Sequence, residues 1–171
     1  MEFPLFVRAH TAALLRSAYL LTGDRAEAEE LVQDTFVRLY PNWTRVLGAD
    51  VPIAYVRRSM TNNFLNGRRR KSASEFLFAD PPEASYEPDL ARELSDRELV
   101  RDLLNSLPAK QRAVLVLSFF DDLSDEQSAA DVGCRPATVR NIVSRALMAL
   151  RTETERRAAH RTAQQTNGNL R

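Results

Sequence analysis

The stretch LSDEQSAADVGCRPATVRNIVSRALMAL, residues 123–150, decides the fold of this chain. Ser124 and Gln127 have the spacing of a capping box, which predicts that a short helix begins here. Gly133 supplies the positive φ that a sharp turn requires, and Pro136 suits the first turn of a second, longer helix. Two helices joined by about four residues match the helix-turn-helix pattern, whose second helix enters the major groove of DNA.

The second helix of this unit has an apolar side and a basic, polar side. Val139, Val143, Ala146 and Leu150 recur at helical spacing and predict the buried stripe. Arginine and asparagine side chains donate hydrogen bonds to phosphates and base edges, so the other side suits contact with a DNA duplex. The candidate contacts are Arg135, Thr138, Arg140, Asn141, Ser144 and Arg145.

Length and composition describe an ordinary globular protein of 171 residues, of which 44% are hydrophobic and 27% are charged. No apolar run approaches the length that spans a membrane, since ALLRSAYLL is interrupted by Arg16, and we expect no membrane insertion. The first ten residues lack the basic-then-apolar order of a signal peptide. Cys134 is the only cysteine, which excludes an internal disulfide and makes a reducing cytoplasm the expected compartment.

The net charge of +1 conceals a strong polarity along the chain. Residues 1–72 carry +4, residues 73–105 carry −6 and residues 106–171 carry +3. Two basic blocks on either side of an acidic segment suggest two modules that face nucleic acid. Clustered charge is also common on solvated surfaces, so both interpretations stay open.

Apolar residues recur with a helical period nearly throughout, which predicts an all-α fold. Pro41, Gly48 and Asp50 mark a loop. Besides the helix-turn-helix, helices are expected over about residues 6–21, 24–40, 52–70, 89–105 and 108–120. The expected architecture is two small helical domains, with an N-terminal helical bundle at 1–71, a flexible acidic linker at 72–88, a C-terminal helix-turn-helix domain at 89–159 and a disordered tail at 160–171.

A second basic stretch, VRRSMTNNFLNGRRRK at residues 56–71, combines arginines, asparagines and an aromatic residue. On a helix, its polar residues recur on one face that begins at Tyr55. Arginines neutralise phosphates, asparagines bind base edges and aromatic rings stack on unpaired bases, so this face suits single-stranded DNA. A solvated helix that ends in a basic cap explains the same residues. The candidate contacts are Tyr55, Arg58, Asn62, Asn66, Arg68, Arg69 and Arg70.

The stretch AEELVQDTFVRLY, residues 28–40, has more apolar surface than one buried stripe needs. Leu31 and four other large apolar residues are spread around the predicted helix, with Glu30, Gln33 and Asp34 between them. Such an acidic, partly apolar face is typical of a docking site for a protein partner, such as a basic coiled helix. The alternative is that every apolar residue here belongs to the core.

Catalysis has little support in the sequence. His10 and His160 lie far apart, and neither has a spacing to acidic residues that suggests a metal site. The acidic pair Asp121-Asp122 is better explained as helix-end charge than as an acid-base dyad. We therefore expect no enzymatic activity, no catalytic residue, no metal and no cofactor.

Taken together, these segments resemble the bacterial RNA polymerase sigma factors of the extracytoplasmic-function type, within the sigma-70 family. Each motif is moderately specific, and their conjunction in the family's order is highly specific. The motifs that carry the resemblance are LLTGDRAEAEELVQDTF at 20–36, AYVRRSMTNNFLNGRRR at 54–70, LPAKQRAVLVLSFFDDLS at 107–124 and ATVRNIVSRALMALR at 137–151.

The resemblance implies that the N-terminal domain binds core RNA polymerase and opens the −10 promoter element, while the C-terminal domain reads the −35 element. The implied partners are core RNA polymerase, double-stranded and melted promoter DNA, and an anti-sigma factor. Asn62 matches the −10 recognition position, and Arg140, Ser144 and Arg145 match the −35 recognition helix. The residues assigned to polymerase binding are Glu30, Leu31, Gln33 and Asp34.

Some positions depart from the usual family pattern. Asn141 and Ile142 stand where similar proteins usually have serine and arginine, so Ile142 removes a DNA contact. Ser128 stands where an isoleucine usually packs, and a buried hydroxyl there would cost about 1–3 kcal/mol. We expect these changes to alter the strength and the sequence preference of −35 binding.

Two other functions stay open. The chain would act as a helix-turn-helix transcriptional regulator if it never bound polymerase, or as an interaction or decoy module if its DNA contact were weak. The acidic helix around Gln33 favours the sigma factor over the regulator, because a simple regulator has no use for a polymerase-binding face. The altered recognition helix at Ile142 favours the decoy.

Overall fold

The computed structural model describes residues 2–75 and 93–168, with the side chains of residues 2–68 and 97–160. Every regular element in these ranges is helical, so the predicted all-α fold is confirmed. The α-helices of the described ranges are α1 (Phe3–Thr22), α2 (Arg25–Leu39), α3 (Trp43–Leu47), α4 (Pro52–Glu75), α5 (Glu93–Asn105), α6 (Ala109–Leu115), α7 (Asp125–Val132) and α8 (Pro136–Gly168). A 3₁₀ turn at Tyr40–Asn42 precedes α3, and a π-helical turn at Val116–Phe120 follows α6.

A two-residue corner joins α1 to α2, and its sequence sets both helix ends. Gly23 has a φ of 77° and ends α1, its N–H donating to the Tyr19 carbonyl at 2.8 Å. Asp24 then caps α2, because its carboxylate accepts a hydrogen bond from the Glu27 N–H at 2.8 Å. The predicted helix start at Asp24 is therefore confirmed.

Helices α1, α2 and α4 pack around the apolar core of the N-terminal domain. Leu21, Val56 and Met60 are almost completely buried there. One end of this core is aromatic, and the ring centroids of Phe6 and Trp43 lie 4.9 Å apart in an edge-on arrangement. Trp43 thus brings the short helix α3 onto the bundle.

Three boundaries differ from the expectations. Helix α3 lies in the segment that we predicted as a loop, because five residues are too few to show a helical period. Helix α4 continues to Glu75, past its predicted end near residue 70. Helix α8 continues to Gly168, into the tail 160–171 that we expected to be disordered. Residues 76–88 of the predicted linker lie outside the described residues.

In the C-terminal domain, α6, α7 and α8 pack around Val114, Leu117 and Val139, which are almost fully buried. The helix predicted over 108–120 is divided, since α6 gives way to the π-helical turn at Val116. The two domains also touch each other, with α1 against α5 and α6 and with α4 against α7. Their apolar cores are continuous as a result.

Candidate nucleic-acid and protein interfaces

The helix-turn-helix forms through the local signals in its sequence. The Ser124 Oγ accepts a hydrogen bond from the Gln127 N–H at 3.2 Å, and the Gln127 Oε1 accepts one from the Ser124 N–H at 3.0 Å. Gly133 ends α7 with a φ of 68°, and Pro136 is the first residue of α8. The predicted capping box, turn and second helix are all confirmed.

Helix α8 has the two sides that its sequence predicts. Val139 and Ala146 are fully buried, whereas Val143 and Leu150 are half-buried against the same core. Ile142 also packs against this core. Thr138 is half-buried, and the other candidate DNA contacts are exposed: Arg135, Arg140, Asn141, Ser144 and Arg145.

One arginine of this exposed face has an acidic partner. The Arg140 Nη1 lies 3.3 Å from the Asp125 Oδ2, at the first residue of α7. Both side chains are partly exposed, so the pair adds little stability, but it links the two helices of the motif. Arg140 would have to leave Asp125 before it could contact a phosphate or a base.

Ser128, the departure inside the helix-turn-helix, is completely buried. Its Oγ lies 3.4 Å from the Oγ of Ser118, which belongs to the π-helical turn. The hydroxyl therefore has a hydrogen-bond partner, which reduces the expected penalty for burying it.

Helix α4 presents the predicted polar face to the outside. Tyr55, Arg58, Asn62 and Asn66 are exposed, while Val56, Met60 and Phe64 of the same helix are buried. This separation fits both a contact surface and the solvated side of an amphipathic helix. The side chains of Arg69 and Arg70 lie outside the described residues.

Arg68 differs from the other candidates on α4, because it turns toward the corner between α1 and α2. Its Nη2 lies 3.4 Å from the Thr22 carbonyl oxygen and 3.4 Å from the Glu27 Oε2. Its guanidinium also lies over the Phe64 ring, 5.7 Å from the ring centroid. In this arrangement Arg68 holds α4 against that corner.

The apolar residues of α2 are divided between the core and the surface, so they do not all belong to the core. Val32 and Phe36 belong to the core, and Leu31 is half-buried. Glu30, Gln33 and Asp34 are exposed, which leaves an acidic stripe on the outside.

The acidic stripe continues into an exposed apolar surface, which agrees with the partly apolar face expected on this helix, but the sequence did not indicate that Tyr40 and Phe3 contribute to it. Val37 is 70% exposed and Tyr40 is 61% exposed. They line a hollow of about 540 Å³ together with Gln33 and the aromatic residues Phe3 and Phe36. The sequence signal that could have revealed this surface is the spacing of Gln33, Val37 and Tyr40, which places all three on one face of a helix.

Buried charges near the contact between the domains were also not predicted. Burial raises the pKa of both Asp121 and Asp131, although hydrogen bonds from Ser17 and Arg57 act in the opposite direction. Burial lowers the pKa of Arg112 to about 10. A sequence pattern cannot reveal these shifts, because they depend on packing between distant helices.

Among the described residues, no group of histidine, cysteine or acidic side chains could hold a metal ion, and no helix is long and apolar enough to cross a membrane.

Comparison with known proteins agrees with both halves of this architecture. The model of Sigma-70 region 2 matches residues 6–74, and that of Sigma-70, region 4 matches residues 97–150. The RNA polymerase sigma-E factor of Streptomyces avermitilis is 37% identical over 92% of this chain and 87% of its own length. The ECF RNA polymerase sigma factor SigL of Mycobacterium tuberculosis is 32% identical over 83% of this chain and 82% of its own length. This chain is an extracytoplasmic-function sigma factor of the sigma-70 family.

Two solved structures share the fold. The sigma factor RpoE of Bartonella quintana, crystallised with the anti-sigma factor NepR, aligns with a TM-score of 0.71 and 25% identity over 90% of this sigma factor and 96% of that chain. CnrH, solved in complex with the cytosolic domain of CnrY, aligns with a TM-score of 0.60 over 90% of this chain and 87% of its own. The region 2 match includes α2 and most of α4, and the region 4 match includes the helix-turn-helix.

Proposed function

We propose that this sigma factor binds core RNA polymerase through the exposed face of α2 and directs it to promoters, with α4 at the −10 element and α8 at the −35 element. The supporting observation is that each of these helices buries an apolar stripe and exposes polar residues of its family motif: Gln33 and Asp34 in α2, Asn62 and Asn66 in α4, Arg140 and Arg145 in α8. The division into domains at 1–71 and 89–159, with a linker at 72–88 and a tail at 160–171, belongs to this proposal. The protein would act in the cytoplasm and would itself catalyse no reaction.

The polymerase contact is the acidic stripe of Glu30, Gln33 and Asp34, with Leu31 as a supporting residue at its edge. Exposed carboxylates attract a basic partner, and the adjoining hollow beside Val37 accepts apolar side chains. An anti-sigma factor is a further proposed partner, because the similar RpoE was crystallised with one.

The two DNA contacts need different chemistry. Opening the −10 element requires that unstacked bases be held, and Tyr55, Asn62 and Asn66 offer a ring and amides for this, with Arg58 beside them. Reading the closed −35 element requires a helix in the major groove, where Arg140 and Arg145 reach base edges or phosphates. Arg69 and Arg70 would extend the basic track of α4, whereas Arg68 is held at the α1–α2 corner.

Reconstituted run-off transcription with core RNA polymerase on a genomic promoter library tests the proposal. Product from specific start sites is expected. The double variant Gln33→Ala/Asp34→Ala should lose co-elution with core polymerase in gel filtration, while Glu155→Ala, which removes an exposed acidic residue of α8, should retain it. Specific DNA binding without any association with polymerase would identify a regulator instead. Association without promoter-specific product would identify a decoy.

A further inference from the structure

The outward side of helix α8 is centred on an asparagine. An α-helix turns by about 100° per residue, so the buried side chains of Val139 and Ala146 fix the direction of the core. Ala137, Asn141 and Met148 lie within about 30° of the opposite direction, and all three are exposed. We call these three residues the central strip of α8.

Asn141 carries the only amide of the central strip. Among the described residues, its side chain has no hydrogen-bond or ion-pair partner, so the amide is available to a ligand. Ala137 and Met148 offer apolar side chains, and Ile142, which follows Asn141, packs against the core. The central strip therefore has one group that can both donate and accept a hydrogen bond at a base edge.

Two arginines lie on opposite flanks of the central strip. Arg140 and Arg145 are exposed, and each lies about 70° from the outward direction, on different sides of it. The flank of Arg140 is the one that approaches α7, since its Nη1 lies 3.3 Å from the Asp125 Oδ2. Arginine side chains are long, always charged and well matched to phosphate oxygens. The flanks thus supply charge, whereas the centre supplies directional hydrogen bonds.

The dimensions of the major groove separate these roles. An α-helix with its side chains is about 10–12 Å across, and the groove is about 12 Å wide. A helix that fills the groove turns its central strip toward the base edges and its flanks toward the two phosphate backbones. Asn141 lies near the beginning of α8, which starts at Pro136, and this is the part of a recognition helix that contacts base edges.

We propose that Asn141 sets the base specificity at the −35 element by binding an adenine, while Arg140 and Arg145 bind phosphates of opposite strands. The inference rests on the proposed function and assigns a base that it leaves open. The amide oxygen accepts a hydrogen bond from the adenine N6 amino group, and the amide nitrogen donates one to adenine N7. Adenine alone presents this donor and acceptor together in the major groove. The arginine contacts add affinity that does not depend on sequence.

Transcription from a library with a randomised −35 element tests the assignment. Holoenzyme is reconstituted from core RNA polymerase and the full chain, and each template carries a transcribed barcode that identifies its −35 sequence. The parent protein should prefer an adenine, in one orientation, at one position by at least about fivefold. Asn141→Ala should lose this preference and keep the preferences at other positions. The substitution is at an exposed helix position, where alanine is well tolerated.

Asn141→Asp distinguishes base contact from a structural role. A carboxylate accepts a hydrogen bond from cytosine N4 but cannot donate one to adenine N7, so the preference at the same position should change from adenine to cytosine. Retention of adenine by this variant would contradict the inference. Asn42→Ala is the matched control, because Asn42 is exposed and its side chain forms no capping hydrogen bond with α3. Its base profile should equal that of the parent protein.

Arg140→Ala and Arg145→Ala should behave differently from the asparagine variants. Each should weaken promoter binding on all −35 sequences alike. The slope of log affinity against log salt concentration should also become shallower by about one, because one fewer counterion is released. Filter binding of the holoenzyme across a salt series measures this slope. Loss of a base preference in either variant would assign base reading to arginine and would overturn the inference.

The remaining outcomes separate the two proposals. An unchanged base profile in Asn141→Ala would overturn the inference, and so would a G·C pair at the position that depends on Asn141 in the parent protein. Specific transcription by the parent protein without any −35 preference would overturn it as well. No specific transcript from the parent protein would instead refute the proposed function.

Discussion

Among the side chains that the structure describes, the buried polar residues of the N-terminal domain are hydroxyls, such as Thr35 and Thr61, whereas the C-terminal domain buries the charged residues Arg112 and Asp131. Both of these charged residues contact the N-terminal domain. This contrast indicates that the N-terminal bundle is stabilised by its own apolar core, while the helix-turn-helix domain depends partly on hydrogen bonds made to its neighbour. Five substitutions test the contrast.

The largest effect is expected in the aromatic core of the N-terminal domain. Phe6→Ala removes a ring that is 3% exposed and contacts Trp43, so unfolding in urea should show a loss of about 4 kcal/mol. Leu5→Ala, at an exposed position of the same helix, is the control and should change the unfolding free energy by less than about 0.5 kcal/mol. Similar losses for both variants would mean that the bundle is not organised around this core.

Arg112→Met keeps much of the side-chain volume but leaves three backbone carbonyls without their donor. The expected loss is about 3 kcal/mol in the free energy of unfolding, measured by circular dichroism. Lys110→Met, at an exposed position two residues away on the same helix, should be nearly neutral. If Arg112→Met had the same free energy of unfolding as the parent protein, the C-terminal domain would not depend on these hydrogen bonds, and the contrast between the domains would be wrong.

Gly133→Ala tests the turn of the helix-turn-helix by itself. A Cβ at this position would meet no atom within 4 Å, so the cost comes from the φ of 68° alone and should be about 1–2 kcal/mol. Thermal unfolding should report it. Gly67→Ala in α4, which also has open space but lies inside a helix, should be neutral or slightly stabilising.

The buried carboxyl of Asp121 should make stability depend on pH. Its pKa is raised in the folded protein, so the folded state binds this proton more tightly than the unfolded state, and the contribution of Asp121 to stability falls as the pH rises from 3.8 through the raised pKa. Asp121→Asn should therefore gain stability relative to the parent protein as the pH is increased over this window. Denaturant titrations at several pH values would measure the difference, and parallel pH profiles would contradict the assignment.

The smallest effect concerns the pair between Arg140 and Asp125. Asp125→Asn frees the Arg140 guanidinium and removes one negative charge near the DNA, so affinity for a −35 duplex should rise about two- to threefold at low salt. Fluorescence anisotropy would measure it. Glu155→Gln, which removes a charge farther along α8, should have less effect, and equal gains for the two variants would point to net charge alone.

Local signals predicted the elements that they control. The capping box at Ser124, the glycine turn and the amphipathic side of α8 all came from residues within one or two helical turns, and each is found in the structure. The exposed face of α4, which includes Asn62, followed from helical spacing in the same way. Such features depend on the backbone and on neighbours in the sequence, so one sequence suffices to predict them.

Features that depend on distant residues were missed or left open. Arg68 was grouped with the basic run of α4, but its position is set by Thr22 and Glu27, more than forty residues earlier in the chain. The ion pair of Arg57 and Asp131 joins residues 74 positions apart, and no periodicity encodes it. The division of the α2 residues between core and surface likewise required the packing of α1 and α4.

Helix α8 is a single helix of 33 residues, about 50 Å long, with its proposed DNA contacts near one end. Its other half runs along α5, where the Arg157 Nη1 lies 4.0 Å from the Asp102 Oδ2. A tilt of about 5° imposed there would move the first turn of α8, about 30 Å away, by about 3 Å, which is larger than the tolerance of a hydrogen bond. We therefore expect substitutions around Arg157 to change the promoter preference of the proposed DNA contacts, although Arg157 itself would touch no nucleotide.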